Sequence, residues 1–255
     1  LTGFYLNILY YFYNKERAFM VKEEQMTKEI ESTNTKNTNE EIVIKGSKAY
    51  LFFKRVLDIV VSFISIVFLM VTLIFPIISL LVLISTHGQI IFKDERMGLN
   101  KRKIRIYKFQ TMFSDAETNL DKYLDENQKK KWQKERKLDN DPRVTKLGKF
   151  LRKTSLDELP QLFNILGGSL SLVGPRPITK QELENNFTDY EQKQLMKVKP
   201  GLTGYWQVKD RSLATYESGE RQKEELYYLP RRGFWFDVKI VLLTIPAIFK
   251  GKGAK

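Results

Sequence analysis

The chain has no cysteine and a single histidine among its 255 residues. The first absence excludes disulfides and thiolate metal sites, and the second excludes a metal centre built from a histidine cluster. Acidic side chains are scarce beside basic ones, 30 Asp and Glu against 43 Lys and Arg, leaving a formal net charge of +13. That imbalance points to an anionic partner: nucleic acid, anionic lipid or a phosphorylated substrate. No nucleic-acid-binding motif is recognisable, and a long apolar run also argues against nucleic acid.

Charge is missing altogether from residues 59–86, which are nearly all apolar. The run exceeds the roughly 20 residues that span a bilayer. Pro76 falls within it and is expected to break or kink the helix. Basic residues flank both ends (Lys48, Lys54 and Arg55 before; Lys93, Arg96 and Lys101 to Lys103 after), so the positive-inside rule selects no orientation. A hairpin-like helix entering and leaving on one face accommodates both flanks; a spanning helix stays open on these grounds alone.

Residues 1–20 are aromatic, but their apolar run stops at Asn14-Lys15, too short to span. With no basic leader or small-residue cleavage site they make a poor signal peptide, and the sequence begins without Met, as a truncated start would. An interfacial anchor and an extension without a defined role are both open. Residues 22–47, rich in Lys, Glu, Thr and Asn, read as a disordered linker. The domain partition is therefore 1–47, extension and linker; 48–92, membrane helix region; 93–255, the remaining domain.

Residues 89–112 alternate apolar and polar, predicting a short strand or hairpin about Gly98-Leu99-Asn100. Their basic side chains suit lipid headgroups. Residues 114–138 read as one charged helix carrying Leu120, Tyr123, Leu124 and Trp132, and 143–153 as a basic helix. Residues 179–197 and 221–228 also read as helical. Residues 234–249 are aromatic, then apolar, with Asp237, Lys239 and Pro246 inside; an interfacial helix is expected, with Trp235 at headgroup depth.

The chemistry concentrates in residues 146–177, KLGKFLRKTSLDELPQLFNILGGSLSLVGPRP. Ser155 and Glu158 have capping-box spacing, yet Pro160 is better tolerated in a helix that starts near Asp157. Either start puts Asp157 and Glu158 in a first turn that favours negative charge. Leu159, Leu162, Phe163 and Leu166 then form an apolar stripe that ends at Gly167-Gly168. As a bland alternative, the two acids merely cap a helix. Against it, adjacent carboxylates repel and invite a cation, Arg152 lies one turn upstream, and the prolines of Gly174-Pro175-Arg176-Pro177 present Arg176 for bidentate phosphate contact. Carboxylates, arginines and a divalent ion suggest phosphoryl chemistry. Residues 199–207, KPGLTGYWQ, form a punctuated loop able to offer backbone donors to phosphate and a flat face to a nucleobase.

This stretch, together with KFQTM (108–112), NDPRVT (140–145) and KPGLTGYWQV (199–208), closely resembles the bacterial sugar transferase family. These are monotopic polyprenyl-phosphate phosphoglycosyl transferases that prime surface-polysaccharide assembly, and the match runs over about residues 54–254. The resemblance implies a mainly helical α+β fold, membrane-associated, with a re-entrant helix broken at a proline, interfacial amphipathic helices and a small catalytic domain on the cytoplasmic face of the bacterial plasma membrane. The implied activity is transfer of a sugar-1-phosphate from a UDP-sugar to undecaprenyl phosphate in a covalent ping-pong reaction that releases UMP. Asp157 is the implied nucleophile and Glu158 its partner in catalysis, and both would hold Mg2+, or Mn2+ in its place. Lys108, Arg152, Arg176, Lys199, Thr203 and Glu225 are the implied substrate-binding residues. Implied partners are anionic lipids and other polysaccharide-assembly enzymes, not nucleic acid, with a homo-oligomer left open.

The chain departs from the family pattern at Phe75, where Ser often precedes the proline, at Gln110, usually Arg, at Ser169-Leu170, where an acid usually stands, and at Glu225, commonly Asp. A non-catalytic, membrane-tethered scaffold of the same pathway is the alternative reading.

Overall fold

Among the described residues Ser47 opens the first helix, its hydroxyl accepting from the Tyr50 N–H at 3.1 Å. The computed structural model describes residues 42–135, 138, 140–209 and 214–249. The aromatic N-terminus and most of the expected linker lie outside the described residues. Helix α1 covers Lys48–Val71 and α2 covers Ile74–Thr86, bent from it by 69°. Among the described residues no single helix is long and apolar enough to cross a membrane, although the bent pair together is.

The break does not fall at Pro76. The Thr72 hydroxyl bonds back to Phe68 O at 2.7 Å, and Leu73 turns left-handed at φ 59°. Pro76 lies in the first turn of α2, where its missing N–H costs nothing. Phe75 packs its ring 5.0 Å from Phe109 and 5.7 Å from Phe163, fastening the start of α2 to the domain below.

Strands β1 (Ile91–Met97) and β2 (Lys103–Phe109) form the expected antiparallel hairpin, with Ile91 opposite Phe109 and Met97 opposite Lys103. Asn100 and Lys101 take positive φ in its turn. Not all its basic side chains are free for lipid, since Arg96 bonds Asp94 (2.7 Å) and Glu182 (3.0 Å). The single charged helix expected over 114–138 is broken into α3 (Leu120–Tyr123) and α4 (Glu126–Glu135). Leu124 is extended between them, and Asp125 starts the second by accepting from Gln128 N at 2.8 Å.

Helix α5 (Lys146–Thr154) is the expected basic helix, capped by the Thr145 hydroxyl on Gly148 N. A tight 3-10 turn over Leu156–Glu158 joins it to α6 (Gln161–Leu166). Strand β3 (Ser171–Val173) follows, then α7 (Lys180–Asn186) and α8 (Asp189–Leu195), each opened by a Thr–Glu capping box that separates what sequence suggested as one helix. The expected loop over 199–207 is instead a strand, β4 (Gly201–Thr203), and a short helix, α9 (Tyr205–Lys209). Strands β3 and β4 pair in parallel, Ser171 opposite Gly201 and Val173 opposite Thr203. A Cβ on Gly201 would lie 2.1 Å from Gly174 N, so this contact requires glycine. Helices α10 (Glu220–Tyr227) and α11 (Phe234–Phe249) are the last described elements, α11 continuing through Pro246.

Two apolar cores sit under the bent pair. Ile106, Leu162, Ile165 and Leu170 receive Ile66 and Leu69 of α1, while Val82 of α2 joins Phe109 and Leu151. Polar contacts fasten α1 as well. Arg55 donates to Ile165 O (2.6 Å) and Leu166 O (2.8 Å) at the end of α6, and buried Asp58 accepts from Leu172 N at 2.9 Å. Lys54 pairs with Asp237 of α11, which also accepts from Tyr50 and Tyr228 at 2.8 Å each. Both helices of the pair, and α11 with them, leave large apolar side chains exposed, among them Phe63, Phe68, Leu80, Ile84, Trp235 and Leu242.

Candidate active site

Asp157 and Glu158 lie in a first turn as expected, but that of the 3-10 helix Leu156–Glu158 and not of α6. Pro160 has no N–H with which to reach Leu156 O, and Leu159 N takes that oxygen at 3.2 Å instead. The chain therefore winds through i+3 bonds until α6 begins at Gln161. The capping box is not formed: Ser155 is left-handed (φ 57°) and its side chain makes no capping bond. A non-glycine residue in that region is sparsely populated and is held by its surroundings. Here the holding comes from Leu156 and Leu159, which pack into the Phe109–Leu151 core on either side of the acids.

That anchoring turns the acids toward two cations. Lys108 Nζ lies 3.3 Å from Glu158 Oε1, and β2 supplies it. Arg152, from the last turn of α5, is steadied by its Nε donating to Thr111 Oγ1 at 3.0 Å and interacts electrostatically with Asp157. Asp157 is 9% exposed. Burial and then the Glu158 charge push its carboxyl up to about 6, while Lys108 and Arg152 pull the other way.

Among the described residues no group of three or more His, Asp or Glu side chains gathers to hold a metal. The adjacent carboxylates nevertheless fit Mg2+, which takes one or two protein carboxylates and completes its shell from water and substrate phosphates.

Arg176 belongs to a second group. Its N–H donates to Glu225 Oε2 at 2.9 Å, and its guanidinium lies 5.3 Å from the Trp206 ring centre. Glu225 is 2% exposed, under the turn rather than in an open cleft, and burial pushes it up to about 7. Arg176 makes no hydrogen bond or ion pair with Asp157 or Glu158. Lys199 faces α1, where burial and Arg55 hold its ammonium below the usual value. The Thr203 hydroxyl bonds Thr244 of α11 at 2.8 Å, and its carbonyl accepts from Gly174 N at 2.9 Å, steadying the GPRP turn.

Sequence reasoning missed the polar scaffold. Asn164 ties α6 to β2 by accepting from Tyr107 N (2.9 Å) and donating to Arg105 O (2.8 Å). Buried Asp141 and Arg143 pair at 2.7 Å just ahead of α5. The Ser169 hydroxyl donates to Asn164 O at 3.2 Å, so that departure from the family pattern is absorbed structurally, whereas Gln110 bonds Ile90 O through its backbone N at 2.8 Å. Asp58 carried a sequence signal, a lone acid at the head of an apolar run.

The bacterial sugar transferase family profile matches residues 49–251. The chain is 41% identical over 208 residues to a galactosyl transferase, CpsE, of Streptococcus agalactiae serotype III, covering 81% of this chain and 44% of that protein. It is 38% identical over 205 residues to the UDP-glucose:undecaprenyl-phosphate glucose-1-phosphate transferase of Escherichia coli, covering 79% and 41%. With the exopolysaccharide production protein ExoY of Rhizobium meliloti it shares 36% over 203 residues, covering 79% of this chain and 87% of that one. The chain spans 42–48% of the length of the first four curated relatives it matches.

Proposed function

Because the chain belongs to the bacterial sugar transferase family, we propose that it moves a sugar-1-phosphate from a UDP-sugar to undecaprenyl phosphate, releasing UMP, at the cytoplasmic face of the plasma membrane. The observation that carries this reading is the buried, cation-flanked Asp157–Glu158 turn beneath a bent apolar helix pair. A water-soluble donor and a lipid acceptor can share one site only at an interface. The exposed apolar faces of α1, α2 and α11 supply the contact with lipid.

In the proposed course, an Asp157 carboxylate oxygen attacks the β-phosphorus of the donor. The bond from that phosphorus to the oxygen bridging the α-phosphate breaks, UMP leaves, and a phosphosugar stays esterified to Asp157. The acceptor's phosphate oxygen then attacks the same phosphorus, returns Asp157 to its free carboxylate and yields the polyprenyl diphosphate sugar. Lys108 and Arg152 hold phosphate oxygens as charge moves to the leaving group, and Glu158 assists proton removal from the acceptor. Arg176 contacts donor phosphate. Asp157 and Glu158 would hold Mg2+, which when bound reduces repulsion between the carboxylate and the diphosphate.

The test is UMP release in nanodiscs with Mg2+ and undecaprenyl phosphate across a panel of UDP-sugars. Release is expected with one or two donors, abolished by Asp157→Asn and by EDTA, with a phosphosugar adduct on Asp157 when lipid is withheld. Full activity of the Asn variant would sink the covalent course. No release with any donor would favour the scaffold reading.

A further inference from the structure

Buried polar atoms without hydrogen-bond partners gather in one neighbourhood. They are Trp206 Nε1, Gln207 Oε1, Tyr216 Oη, Arg221 Nε and Nη2, Gln222 Oε1 and Glu225 Oε1. The Ser171 hydroxyl, in β3, is in the same condition. Arg221 ties the group together, its guanidinium 4.2 Å from the Trp206 ring centre and 4.0 Å from that of Tyr216, with Nη2 at ion-pair but not hydrogen-bond distance, 3.9 Å, from Glu182 Oε1. Glu225 closes the floor with one carboxylate oxygen on Arg176 N and the other unpaired. Folded proteins rarely bury so many unpaired groups together unless something else meets them.

The donor and acceptor types identify what that is. A phosphate would need donors alone, yet oxygens of Gln207, Gln222 and Glu225 stand among them. A sugar ring would bring several hydroxyls, each needing a partner once out of water. A pyrimidine-dione is flat, largely apolar across its faces, and presents one N–H between two carbonyl oxygens. It needs an acceptor flanked by donors, a set that a Gln222 or Glu225 oxygen makes with the N–H groups of Trp206 and Arg221. The Trp206 ring is attended by Arg176 and Arg221, so the tryptophan acts through its N–H rather than as the stacking face the loop sequence suggested.

We propose that Trp206, Tyr216, Arg221, Gln222 and Glu225 form the pocket that recognises the uracil base of the nucleotide donor. Half-buried Arg176, bonded to Glu225 and lying over Trp206, is at its rim and takes the phosphate next to the base. The assignment rests on the transferase reading above, and it converts that reading from a class of donor to the residues that choose it.

The experiment uses the full chain in nanodiscs and compares wild type with Trp206→Phe and Gln222→Leu. It reads inhibition of polyprenyl diphosphate sugar formation by added UMP, CMP and pyrophosphate, alongside the melting temperature with and without each compound. Wild type is expected to favour UMP over CMP by at least about tenfold, because CMP offers an amino group where uracil has a carbonyl. In both variants the preference should fall below about threefold while pyrophosphate inhibition stays unchanged. Gln222→Leu removes an orphan buried oxygen but also the Nε2 bond to Tyr216 O at 3.0 Å, so its ligand-free melting temperature should lie within a few degrees of wild type. A UMP-to-CMP preference kept at the wild-type value in both variants overturns the pocket and leaves the transferase reading intact. So does a fall in pyrophosphate and UMP inhibition by the same factor. A wild type that turns over no UDP-sugar sinks the transferase reading, and the UMP-induced rise in melting temperature then decides the pocket separately.

Discussion

Asp157 has two demands on it that pull apart. As a nucleophile it must be ionised, yet burial and Glu158 raise it to about 6. A carboxyl raised above its usual value favours the fold when protonated, so its stabilising contribution is present at low pH and lost as pH rises through about 6. Above that pH the ionised group costs the fold on the order of 2 kcal/mol. Asp157→Asn is therefore expected to abolish transfer while raising the melting temperature at about pH 7.5 by several degrees, with the gain gone near pH 4.5. Thermal denaturation at both pH values checks this; a lower melting temperature at the higher pH would mean the ionised carboxylate is well paired in the free protein. Wild-type kcat/KM should also rise with pH through about 6 and then level. The type of group was legible in the sequence, where two adjacent acids beside basic neighbours stood out. The cause of its tuning was not, because Leu156 and Leu159 bury the turn only once the Phe109–Leu151 core exists.

At the scale of elements, α5 can lie against Thr111 only because residue 148 has no side chain. A Cβ there would come within 2.0 Å of Thr111 O. The same threonine holds Arg152 through its hydroxyl, so one contact sets both the helix position and a cation of the site. Gly148→Ala should cost about 1–3 kcal/mol of stability and lower kcat/KM by up to about 100-fold through displaced Arg152. Unchanged melting temperature and turnover would show that the helix shifts freely. Local pattern announced the β1–β2 hairpin and α5 itself, since alternation and a basic amphipathic run are properties of neighbouring residues. It misplaced the break in the membrane pair, because Thr72 and Leu73 carry no breaking signal while Pro76 is absorbed into a helix start. It also missed strand β4, whose pairing depends on glycines meeting residues from β3 and the turn after it.

For the whole molecule, the arrangement of the bent pair on the domain bears on which side of the membrane each end lies. Near its start, α1 is held through Arg55 to the end of α6 and through Asp58 to Leu172 in β3. Near its end, α2 is held through Val82 in the Phe109–Leu151 core, and Thr86 O accepts from Ser114 N at 3.0 Å. Both outer ends thus grip one domain, whereas a spanning pair would have to leave that domain on one side and carry an end away to the other. Re-entrance keeps every one of these contacts and gives the basic flanks a common anionic leaflet. The absence of cysteine makes the test direct, because each introduced thiol is unique. Lys48→Cys and Lys93→Cys, at exposed positions at the start of α1 and within β1, should both resist a membrane-impermeant maleimide in intact cells and both react in inverted vesicles. Labelling of the two sites from opposite sides would mean that the pair crosses the bilayer, and the contacts of either Asp58 or Val82 with the domain would then have to be given up in the membrane.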